Sequence, residues 1–157
     1  MSTLSFIDEH ERRVAASTEQ VWAALVASAR RLTPELPAWL VAAWGLDPAR
    51  RSGGTNPTLA LGDSVAGFRA AAIDPGHALA LQGRHRFAEY ELRFELEPLA
   101  GDRTRLRAQT RASFPGLKGG LYRLLVIGSG GHRLAVRRIL ARIGSRAESA
   151  ASPRSAD

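Results

Sequence analysis

Histidine is the side chain that most readily exchanges protons near neutral pH, and this chain has four, at positions 10, 77, 85 and 132. His132 is the sharpest case. At helical spacing, Leu117, Leu121, Leu124, Leu125, Gly128, His132, Ala135, Val136, Ile139 and Ile143 fall within about 60° of one line, and His132 lies about 20° from its centre. An imidazole there points inward, one turn after a residue with no side chain. It is either a polar anchor at the floor of a ligand cavity or a buried histidine hydrogen-bonded to its neighbours. His85 and Tyr90 flank the Arg86-Phe87-Ala88 corner. Both share parity with apolar residues, so together they offer an acid/base and a hydroxyl to a cavity, or an aromatic core pair with satisfied polar tips. Asp8, His10 and Arg12 share one face of a strand with Phe6 and Val14. That run reads as a solvated edge strand in preference to a set of cavity-lining groups.

Other chemistries find little support. There is no cysteine, hence no disulfide and no thiolate. No histidine pairs with a carboxylate at ligand spacing on one helix, and no nucleophile elbow is present, so neither a metal nor a cofactor is expected. Gly128-Ser129-Gly130-Gly131 lacks the lysine and strand-to-helix setting of a phosphate loop. It reads as a kink, or as a place where a ligand approaches the backbone.

The elements that must position these groups follow from periodicity. Ser5 to Ala15 reads as a strand. Ser17 stands three residues before Gln20, a capping-box spacing, and opens a helix over 18–31. Pro37 suits the first turn of a short helix over 38–44, and 45–63 carries turn signals. Strands follow over 65–74, 77–86, 88–97 and 103–114. In the last two, Tyr90, Leu92, Phe94 and Leu96 alternate with charged residues, as do Thr104, Leu106, Ala108, Thr110, Ala112 and Phe114. Such alternation predicts a half-buried antiparallel hairpin. With the turn centred on Ala100, Glu97 faces Arg103, Glu95 faces Arg105 and Glu89 faces Arg111. A long helix is predicted from Leu117 to Ile143, and 145–157 is expected to be a disordered tail.

The formal charge of +7 invites a nucleic-acid partner. Lys118 is the only lysine, so 21 of the 22 basic residues are arginine, and those of the hairpin interleave with glutamates that repel phosphate. No specific nucleic-acid binding is expected. Met1 to Glu11 lacks the apolar run of a signal peptide, and no apolar stretch approaches the about 20 residues of a membrane span. The expectation is a cytoplasmic protein without a membrane span.

The order of strand, helix pair, antiparallel meander and long C-terminal helix resembles the START-like, or SRPBCC, superfamily with its α+β helix-grip fold. Arg13-Val14-Ala15-Ala16-Ser17-Thr18-Glu19-Gln20-Val21-Trp22 looks like that superfamily's first strand entering its first helix. Asp74-Pro75-Gly76-His77-Ala78-Leu79, Gly83-Arg84-His85-Arg86-Phe87 and the Thr104-Arg105-Leu106 strand look like polyketide cyclase-like members. The resemblance covers roughly residues 5 to 144 and implies a curved sheet around the C-terminal helix, with a cavity between them for an apolar molecule. The expected walls are Trp22, Tyr90, Leu92, Phe94, Phe114, Leu125 and Gly128, with His85, Tyr90 and His132 supplying polarity. The leading expectation is a binder of a small apolar or amphipathic molecule. The alternatives are a cyclase or dehydratase with His85 or His132 as base, and a homodimer joined through Val126, Ile127 and Leu134.

Overall fold

The computed structural model describes residues 4–31, 59–65, 68–85, 88–114 and 130–152, with the backbone alone at 31, 64, 65, 85, 88 and 131. The first strand, β1, is Ser5–Val14, and the first helix, α1, is Thr18–Arg31. Then come β2 (Ser64–Val65), β3 (Phe68–Asp74), β4 (Ala78–His85), β5 (Ala88–Leu99) and β6 (Arg103–Ser113). The C-terminal helix of the described residues, here α2, is Gly131–Ala151. The six strands form one antiparallel sheet in the order β1-β6-β5-β4-β3-β2. The short helix predicted over 38–44, and the part of the long helix predicted over 117–129, lie outside the described residues.

Local chemistry explains the joint between β1 and α1. Ser17 N–H donates to Gln20 Oε1 at 3.0 Å, and Gln20 N–H donates back to Ser17 Oγ at 3.3 Å. This reciprocal pair satisfies two donors that a helix start would otherwise strand. The wholly buried Thr104 donates its hydroxyl to the Ala16 carbonyl at 2.9 Å, tying β6 to the same joint.

The inner face of the sheet follows parity. Leu79 and Leu81 on β4, Leu92, Phe94 and Leu96 on β5, and Leu106 and Ala108 on β6 are all buried. They pack with Val21, Leu25 and Ala29 of α1 and with Val136, Leu140, Ile143 and Ala147 of α2. Burial of this kind stabilises by about 1.5–3 kcal/mol per large side chain. Ala135, expected in the inward stripe, is exposed, and Leu140 takes that line instead.

The structure corrects four expectations. The β5–β6 hairpin turns through Ala100-Gly101-Asp102, so Leu99 pairs with Arg103, Glu97 with Arg105, Glu95 with Arg107 and Glu91 with Arg111, while Glu89 lies opposite Ser113. Gly101 and Asp102 both take positive φ, 75° and 48°, which lets a three-residue loop close where a longer one was read. The shift is two residues, so every side chain keeps its face. Secondly, the run from 128 to 131 does not continue as helix through Gly130. That residue is left-handed at φ 74° and stands as the N-cap of α2. Thirdly, α2 runs past Ile143 to Ala151, so the disordered stretch does not begin at 145. The small residues there allow close approach: Ala147 is fully buried, and Glu148 accepts the Ala15 N–H at 3.2 Å. The strand read as 65–74 is also divided, into β2 and β3.

Candidate functional site

A β-bulge decides where the chemistry of β1 points. Phe6 pairs with Arg111 and Asp8 with Thr110, leaving Ile7 as an extra residue. Arg111 and Thr110 are neighbours and face opposite sides of the sheet. Phe6 is therefore turned outward, 59% exposed, while Asp8 is turned inward and only 9% exposed. Asp8, His10, Arg12 and Val14 then share the inner face. The run read as a solvated edge faces inward, with Asp8 buried and His10 and Arg12 half-buried: β1 is an edge strand only along the hydrogen-bonding direction, and α2 covers its inner face.

His132, in the first turn of α2, meets this face. Its Nε2 lies 3.1 Å from Thr110 Oγ1 and 3.5 Å from Asp8 Oδ1. From the other side, His10 Nε2 lies 3.4 Å from Asp8 Oδ2. One carboxylate is thus held between two imidazoles, with a threonine hydroxyl alongside. The contacts to Asp8 are longer than the about 2.7–2.9 Å of a charge-assisted hydrogen bond. Both Asp8 oxygens and His10 Nε2 are buried and make no hydrogen bond among the described residues. Such atoms cost about 1–3 kcal/mol each in a folded protein, so polar groups left this way concentrate where something else meets them.

Arg12 closes the lower end of the cluster. Its guanidinium reaches Glu148 of α2 at 3.5 Å. A Cβ on Gly144 would lie 2.5 Å from Arg12 Nε, so the helix passes over the arginine only because residue 144 has no side chain. At the opposite end of the inner face, Tyr90 pairs directly with Gly83 across β4 and β5. Its ring crosses the space a side chain at 83 would fill and packs edge-on against Phe68, with centroids 4.9 Å apart.

The remaining candidates from sequence fall as follows. His132 joins the cluster, where it meets Thr110, a residue the sequence marked only by its strand parity. Tyr90 and Phe114 are half-buried towards the same end of the sheet, and Trp22 is half-buried against the core. Leu92 and Phe94 lie within that core. His85 takes its place in β4 opposite Ala88, its backbone alone described, while Leu125 and Gly128 fall outside the described residues. Leu134 is 51% exposed on the outer side of α2. Arg69, whose parity is ambiguous from sequence, is exposed. Asp8 and His10 are the members that sequence reasoning undervalued. The signal was their shared parity with Val14, whose position before the capping box marks it as inward.

Chemically, the cluster can hold or pass a proton and can accept hydrogen bonds from a bound molecule. Among the described residues no group of three His, Cys, Asp or Glu side chains is arranged to hold a metal ion, and no helix is long and apolar enough to cross a membrane. On the outer face two arginines of β6 are matched by glutamates of the neighbouring strands. Arg105 reaches Glu97 at 2.7 Å and Glu11 at 3.8 Å, and Arg107 reaches Glu9 at 3.4 Å.

No family model and no curated protein matches the sequence. Solved structures do match. An aromatase/cyclase from Streptomyces sp. R1128 aligns at 14% identity with a TM-score of 0.57, over 99% of this chain and 100% of its own. Norcoclaurine synthase from Thalictrum flavum, a point mutant bound to a transition state analogue, aligns at 17% identity and TM-score 0.57, over 97% and 100%. The Mll3558 protein from Rhizobium loti aligns at 18% identity and TM-score 0.55, over 92% and 97%. Strand order, the antiparallel meander and the C-terminal helix laid across the inner face all agree with these likenesses: the chain has the helix-grip fold that these structures share.

Proposed function

We propose that this protein binds a small apolar or amphipathic molecule between the inner face of the sheet and the C-terminal helix. The observation that carries the reading is Asp8. Its carboxylate is buried at the edge of an apolar core, flanked by His10 and His132, and makes no hydrogen bond among the described residues. Ligand sites combine apolar walls with a few placed polar groups of this kind. Beside the cluster the inner face carries the small residue Ala108, opposite His10, and farther along it runs through Ala112 to Tyr90 and Gly83. The fold supports the reading by analogy, since an aromatase/cyclase and norcoclaurine synthase share it.

The cluster also favours a second reading, an enzyme of the cyclase or dehydratase kind. His132 would be the base, and the nearby Asp8 carboxylate would stabilise the imidazolium it forms. The binding reading is tested by native mass spectrometry of protein purified gently from its own host, together with titration of an apolar fluorescent dye. A retained mass released on denaturation, or saturable dye binding, is expected. Protein that carries no mass and binds no dye overturns the proposal. Turnover of a retained ligand, abolished in His132→Gln, would favour the enzyme.

A further inference from the structure

Resting on that binding reading, we infer that the Asp8–His10–His132–Thr110 cluster is the polar subsite of the ligand, and that it takes a hydroxyl group carried on an otherwise apolar molecule. The donor inventory selects the group. An ionised aspartate only accepts hydrogen bonds, and both Asp8 oxygens are buried without one among the described residues. The group that meets them must therefore donate. A ligand carboxylate or phosphate cannot donate when ionised, and like charge beside Asp8 repels it.

An ammonium donates, but it would enter between two imidazoles, on the face that also carries the Arg12 guanidinium. A hydroxyl both donates and accepts. It can give its proton to Asp8 and receive a hydrogen bond from His10 Nε2, which is buried and makes none among the described residues. Thr110 already shows how such a group is accommodated here, with its own hydroxyl 3.1 Å from His132 Nε2. The bulge at Ile7 is what brings this carboxylate, and not Phe6, to the inner face.

The test compares naphthalene, 2-methoxynaphthalene and 2-naphthol as probes of the full chain, by fluorescence titration. The three share one apolar body, and only the naphthol donates. A hydrogen bond to a charged acceptor corresponds to about tenfold or more in affinity. 2-Naphthol is expected to bind at least about tenfold tighter than the other two. In Asp8→Asn, checked for folding by circular dichroism, that preference should fall to about threefold or less. The wild-type comparison stands alone if the variant does not fold. Equal binding of all three probes overturns the hydroxyl inference and leaves the binding reading intact. Tighter binding of 2-naphthylmethylammonium than of 2-naphthol also overturns it. Binding of none of the probes overturns the hydroxyl inference, while the binding reading stands or falls on the retained mass and the dye titration.

Discussion

Gly83→Ala should destabilise this protein, although in most strands the same change is favourable. Gly83 has no positive φ, so alanine is conformationally allowed there. In the absence of neighbours the change should gain about 0.5–1 kcal/mol, because glycine loses more backbone freedom on folding. The neighbour reverses the sign. A Cβ at 83 would lie 2.5 Å from Cζ and 2.6 Å from the hydroxyl oxygen of Tyr90. Swinging the ring away would give up its edge-on contact with Phe68. That contact is worth about 0.5–1.5 kcal/mol, and overpacking of this kind costs about 1–3 kcal/mol. The net cost should be about 1–2 kcal/mol, equivalent to a fall of about 2–8 °C in Tm for a chain of this length. The assay is a double-mutant cycle by urea or thermal unfolding. Leucine at 90 ends short of the space over Gly83, so in a Tyr90→Leu background Gly83→Ala should become neutral or stabilising. If Gly83→Ala stabilises the wild type, or costs the same in both backgrounds, the ring does not lie over Gly83 and the packing argument fails.

Two further predictions test the frame around the site. Thr104→Val removes the buried donor to the Ala16 carbonyl and should cost about 1–3 kcal/mol in urea unfolding; a change within about 0.5 kcal/mol would mean that bond is not what ties β6 to the β1–α1 joint. Glu97→Arg sets two guanidiniums opposite each other at the Glu97–Arg105 pair, where the glutamate side chain is 56% exposed. It should cost about 1 kcal/mol or less, and a loss of several kcal/mol in the same assay would show that this face of the hairpin is buried.

Much of the architecture could be read from residues alone because it depends on short-range rules. The Ser17–Gln20 box opens α1 where its spacing places it, since a capping box involves only four consecutive positions. The alternation from Tyr90 to Leu96 and from Thr104 to Ala112 assigns each side chain to the correct face, since a strand's period is two whatever it packs against. The order of elements was likewise enough to indicate the helix-grip fold.

What needed three dimensions was everything that depends on a partner distant in the chain. Periodicity cannot tell a register from one shifted by two, because both preserve the faces; the left-handed pair Gly101-Asp102 settles it. The end of α2 was misread because Ser145 to Ala151 is small and polar, and only contact with Val14's neighbourhood and Arg12 makes such residues helical and partly buried. The candidate site is the clearest case. Asp8 and His10 stand 122 or more positions before His132 in the chain (132 − 10 = 122), and their parity with Val14 is offset locally by the same parity with the exposed Phe6. The sequence determined that β1 carries a carboxylate, an imidazole and a guanidinium at alternate positions. Only the tertiary structure decided that these face inward, because a one-residue bulge turns Phe6 away and α2 then lays His132 over the exposed side of that strand.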